Sequence, residues 1–94
     1  MPAGRVVTLY TRRGCSLCLE AQAMLERLAS PLRFTLQVVD IETDEVLLKR
    51  YLFEIPVVVV AGREVAKAPI RTAASLADAL ADAFAAAPGG TLAE

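Results

Sequence analysis

The sequence predicts an α/β domain in the order β-α-β-α-β-β-α, a four-stranded mixed sheet flanked by three helices. Two observations predict it. Val6–Tyr10 and Phe34–Asp40 are strand-like runs separated by a segment of helical period, and a strand, helix and strand within about 35 residues make a parallel unit with a right-handed crossover. Val57–Val60 is then followed at once by a turn short enough for a hairpin, which adds an antiparallel edge at residues 57–68.

Taken in order, Val6-Val7-Thr8-Leu9-Tyr10 is β-branched and apolar on both faces, as a central strand should be. Leu17, Ala21, Met24, Leu25 and Leu28 recur at helical spacing, which predicts a helix from Cys15 or Ser16 to Ala29, ended by Ser30-Pro31. Phe34–Asp40 alternates at first and reads as a half-buried edge strand. Thr43 is the expected cap of a second helix, with Asp44 and Glu45 in its first turn, Lys49 and Arg50 near its end, and Leu47, Leu48 and Tyr51 facing inward. Val57–Val60 is apolar throughout and reads as the second central strand. Ala61-Gly62-Arg63 is the expected turn into a strand at 64–68. A last helix begins near Thr72 or Ser75 and fades by Ala87, with Leu76, Leu80 and Phe84 as its stripe. The whole chain, residues 1–94, reads as one domain with flexible ends at 1–4 and 88–94.

Composition narrows the function. Hydrophobic residues make up 55%, but seventeen of them are Ala, so the core must come from Val, Leu, Ile and a few aromatics. Ten basic residues balance eleven acidic ones, so neither nucleic acid nor an acidic membrane is an expected partner. The longest strongly apolar stretch, Val57–Ala61, is far short of a membrane span, and residues 1–10 carry no secretory pattern. A cytoplasmic monomer is the expectation.

The chemistry concentrates in Arg12-Arg13-Gly14-Cys15-Ser16-Leu17-Cys18, which holds both cysteines of the chain. The spacing alone leaves four readings open: a redox dithiol, half of a metal site, a structural crosslink, or two small buried residues. Zinc is disfavoured because there is no His and no second cysteine pair to complete four ligands. A static crosslink is disfavoured in a reducing compartment, and so short a loop constrains little. The framework favours the dithiol. Cys15 falls at the N-terminus of the first helix, where unpaired N–H groups and the helix dipole favour a thiolate, and Arg12 and Arg13 add positive charge. No acid between Val6 and Cys18 opposes them. Such settings lower a thiol from about 8.5 to roughly 3.5–7.5. Cys15 is therefore expected as the exposed nucleophile, and Cys18, one turn on, as the more buried resolving thiol.

This arrangement resembles the glutaredoxin branch of the thioredoxin superfamily over about residues 5–85. The matching features are the strand Val6–Tyr10, Tyr10–Cys18, Asp40 at the end of the second strand, and Glu54-Ile55-Pro56 before Val57–Val60. The closest look is to small bacterial proteins whose site reads Cys-x-Leu-Cys. The resemblance implies a thioredoxin-like fold of glutaredoxin type. It implies that Pro56 is a cis-proline facing the dithiol, and that Ile55 offers backbone N–H and C=O groups to an extended substrate. It places Arg12 where glutaredoxins carry a cation near the glutathione carboxylate. The departures are specific: Ser16 and Leu17 replace the Pro and Tyr of glutathione-using sites, and Ala66, Lys67 and Pro69 stand where a Gly-Gly-x-Asp would fall. There is no Trp before the first cysteine, and no acid in the first strand.

The expected activity is thiol–disulfide exchange through Cys15 and Cys18 on a protein disulfide or a glutathionylated protein. Arg12, Ile55 and Pro56 would bind substrate. No bound cofactor or metal is expected, and a reductase or glutathione would return the pair to the thiol form. The competing expectations are an iron–sulfur or metal module shared between two chains, and a redox sensor using the same pair.

Overall fold

A computed structural model describes residues 5–86. Strand β1 spans Arg5–Thr11, helix α1 Ser16–Leu32, strand β2 Phe34–Asp40, helix α2 Glu45–Tyr51, strands β3 and β4 Val57–Val60 and Arg63–Lys67, and helix α3 Ala73–Ala86; a 3-10 turn at Ile41–Thr43 precedes α2. The sheet order is β2-β1-β3-β4. The β1–β2 pair is parallel, β1–β3 and β3–β4 antiparallel. The mixed sheet, its two central strands and the edge position of β2 are those the sequence predicts. The expected ends at 1–4 and 88–94 lie outside the described residues.

Alternation along the strands decides which side is core. Val7 and Leu9 on β1, with Val58 and Val60 on β3, face α1 and α3, where Ala21, Leu25, Leu76 and Leu80 complete a cluster of buried side chains. Phe34 joins it and packs on Phe84 of α3 at 6.0 Å between ring centroids. Among the described residues, the other side of the sheet carries α2. That helix is held by Tyr51 stacked on Tyr10 of β1, centroids 4.8 Å apart, and by Arg50 donating to Glu64 of β4 at 2.8 Å.

Three boundaries differ from expectation. Helix α1 does not stop at Ser30-Pro31 but carries Pro31 in its last turn and runs to Leu32. Leu32 packs on the core, and Arg33, at φ 58°, closes the helix by donating its N–H to Ala29 and Ser30 carbonyls. Asp44, not Thr43, caps α2: its Oδ1 accepts the Val46 and Leu47 N–H groups, while the Thr43 hydroxyl donates to the Asp40 carbonyl. The hairpin turn is tighter than expected, two residues with positive φ, 51° at Ala61 and 78° at Gly62, so Arg63 already belongs to β4.

Candidate active site

The site forms where β1 and β2 end and β3 begins. Register sets its geometry. Tyr10 pairs with Val57, which puts Pro56 beside Thr11, and Thr11 pairs with Asp40. The loop that leaves β1 therefore starts between the proline of β3 and the turn that follows β2.

That loop ends on Cys15, which is itself the N-cap of α1. Gly14 takes φ 81°, a left-handed conformation that other residues adopt only at a cost, and the Cys15 N–H donates back to the Arg12 carbonyl at 3.3 Å. The Cys18 N–H donates to Cys15 Sγ at 3.1 Å. Cys15 thus places its sulfur where a capping oxygen usually sits, on an unpaired donor of the first helical turn. Cys15 and Cys18 are joined as a disulfide, with Cα atoms 5.2 Å apart. Cys15 is half-buried and Cys18 is 0% exposed, so of the two residues only Cys15 meets solvent.

The Ile55–Pro56 peptide bond is cis, as the resemblance implies, and Pro56 is buried. Its carbonyl accepts the Ala68 N–H at 2.9 Å, which fastens the loop to the end of β4; Ala68–Pro69 is cis as well. Of the two Ile55 backbone groups expected to meet a substrate, the N–H already donates to the Tyr51 carbonyl at 3.1 Å. The Ile55 carbonyl accepts no backbone hydrogen bond among the described residues.

Arg12 is at the site but not unopposed. Its Nε donates to Glu42 Oε2 at 2.7 Å. Glu42 lies thirty residues from Arg12 along the chain, so no acid neighbours the arginines in the sequence. Asp40 brings it there: Oδ1 of Asp40 accepts the Glu42 N–H at 2.8 Å and turns the chain at the end of β2. A carboxylate two residues after a strand-ending Asp was the available signal, since Asp at that position commonly caps a turn. A second pair, Lys67 with Glu54 at 3.8 Å, lies where β4 ends alongside the Pro56 loop. Leu17, between the cysteines, and Phe53, just before Glu54, are exposed apolar side chains, 53% and 95%.

No cluster of three or more His, Cys, Asp or Glu suited to a metal occurs among the described residues, and none of their helices is long and apolar enough to cross a membrane. A groove of about 580 Å³ lined by Val60, Arg63, Glu64, Ala79, Asp82 and Ala83 lies at the far end of β3 and takes no part in the site.

The family model described as "Glutaredoxin-like domain (DUF836)" matches residues 6–81, which include both cysteines, the Ile55–Pro56 bond and the four strands but for Arg5. The chain belongs to this glutaredoxin-like family. Its fold is thioredoxin-like, and its close Cys15–Cys18 pair is compatible with redox activity. The chain is similar to protein XcR50 of X. campestris, at 30% identity and TM-score 0.64, over 87% of this chain and 99% of that one. It is similar to protein Ne2328 of Nitrosomonas europaea at 26% identity and TM-score 0.70, over 87% and 93%. Thioredoxin 1 of Thermosipho africanus shares the fold at TM-score 0.63 over 85% and 94%, with 14% identity. No curated protein matches the chain.

Proposed function

We propose that this glutaredoxin-like protein is a thiol–disulfide oxidoreductase acting on protein disulfides in the cytoplasm, with Cys15 as nucleophile and Cys18 as resolving thiol. One observation carries the reading: the sulfur of half-buried Cys15 caps a helix and receives an N–H at 3.1 Å, while Cys18 one turn on is wholly buried. The same N–H and the helix dipole would hold negative charge on Cys15 in the reduced protein. Leu17 and Phe53 give the rim an apolar character suited to a polypeptide partner.

The Cys15 thiolate attacks one sulfur of the partner's disulfide. That bond breaks as a Cys15–partner bond forms, and the displaced sulfur leaves as a thiolate. Cys18 gives its proton to the sulfur already displaced and attacks Cys15 Sγ, which releases the partner's second sulfur as a thiolate. The partner gains two electrons, and the pair ends as the Cys15–Cys18 disulfide, the bonded form of this structure. An external dithiol or two monothiols return it.

Turnover of hydroxyethyl disulfide and of a cystine-bridged peptide, with dithiothreitol as reductant, tests the assignment. Cys15→Ser should abolish turnover. Cys18→Ser should accumulate a mixed disulfide at Cys15, seen by mass spectrometry as one partner per chain. Unchanged turnover by Cys15→Ser would overturn the reading.

A further inference from the structure

Two cations at this end of the sheet, Arg12 and Lys67, are paired with acids. Arg12 donates to Glu42 at 2.7 Å, and Lys67 lies 3.8 Å from Glu54. Arg13 makes no ion pair among the described residues. The Arg12 pair stands closest to the chemistry along the chain, because the Arg12 carbonyl accepts the Cys15 N–H. It is also held in place: Asp40 anchors the Glu42 backbone, and the Thr43 hydroxyl donates to the Asp40 carbonyl at 2.7 Å. Both side chains of the pair are about two-fifths exposed, 42% and 40%, so a partner docking at Cys15 meets a neutralised arginine with a carboxylate beside it.

We infer that Glu42 is a charge gate over Cys15: by neutralising Arg12 it leaves Arg13 as the one arginine of the loop without an ion pair among the described residues, weakens the docking of an anionic partner and favours disulfides that are uncharged or cationic beside the bond attacked. The inference rests on the exchange reading for its substrate class, but the gate itself is a property of the surface. Glu42 touches no reacting atom. It is a positioning and selectivity residue acting through Arg12.

Alkylation of the reduced protein separates the two. The ratio of Cys15 carboxymethylation by anionic iodoacetate to its carbamidomethylation by neutral iodoacetamide reports local charge and needs no turnover; peptide mapping assigns the site. At low ionic strength Glu42→Gln should raise that ratio about two- to five-fold, the range expected of one exposed charge. Arg12→Gln should lower it by a similar factor, and the double variant should return close to wild type. About 1 M salt should erase the differences. With disulfides, Glu42→Gln should raise the rate on glutathione disulfide relative to cationic cystamine at least as much. A ratio that changes by less than about 1.3-fold in Glu42→Gln, or a gain that survives high salt, would overturn the gate. A shifted ratio with no turnover of any disulfide would overturn the exchange reading and leave the gate standing.

Discussion

On the side of the sheet under α1 and α3, Val7, Leu9, Val58, Leu25, Leu76 and Leu80 are all 2% exposed or less. On the other side Val6 remains 47% exposed, Thr8 and Gln37 face each other as polar neighbours, and α2 buries none of its seven residues fully. The first side is packed by apolar area. The second buries Val57 beside Tyr10 and is otherwise fastened at points, by one aromatic stack and one ion pair, with α2 itself held at its start by one cap. Glu42, which precedes α2 in sequence, has a side chain two-fifths exposed and can vary without reopening the core, whereas Pro56, which follows α2, is buried.

The sharpest way to break this contrast is to cut the same kind of material from each side. Leu25→Ala removes a fully buried side chain and should cost about 2–5 kcal/mol in urea denaturation. Tyr51→Ala removes a partly buried ring from its stack and should cost about 1–2 kcal/mol. Equal losses would mean that α2 belongs to the cooperative core.

A smaller effect sharpens the point about fastening. Asp44→Ala deletes the acceptor of two N–H groups at the start of α2 and should cost about 1 kcal/mol globally. Amide exchange should quicken in residues 45–51 and not in α1. Faster exchange throughout the chain would contradict point-wise attachment.

The smallest effect is in pH. Burial first, then the Glu64 carboxylate, raise the Tyr51 hydroxyl above the ordinary phenol value, with Arg50 opposing. A folded-state pKa above the unfolded one favours the neutral phenol in the fold. That stability is complete below the unfolded value near 10.0 and is lost as pH rises past it. Wild-type Tm should therefore fall against that of Tyr51→Phe between about pH 9 and pH 11. A constant difference would show that the hydroxyl does not feel its surroundings.

The strands were legible because their signal is local: four consecutive valines, or alternation over Phe34–Asp40, report burial without knowledge of the partner. The position of Cys15 at a helix start was legible for the same reason. Pro31 misled because proline is a helix breaker by propensity, yet near the end of a helix it removes one bond while Leu32 gains a place in the core. Thr43 misled because a preceding 3-10 turn employs its hydroxyl and passes the cap to Asp44. Glu42 was not legible as part of the site, since its meeting with Arg12 depends on the parallel register of β1 with β2. The Tyr51 carbonyl that takes the Ile55 N–H depends likewise on how α2 ends.

The single residue joining α1 to β2 has a consequence for the dithiol. Arg33 pins the far end of the helix to the start of β2. Seventeen helical residues span about 26 Å, and the seven of β1 about 23 Å. The helix therefore works as a ruler laid along the strand, anchored at Arg33 and read at Cys15. One residue inserted in its middle would carry Cys15 about 1.5 Å further and turn it about 100° around the helix axis. The sulfur's aim is set by length and phase from the opposite end of the molecule.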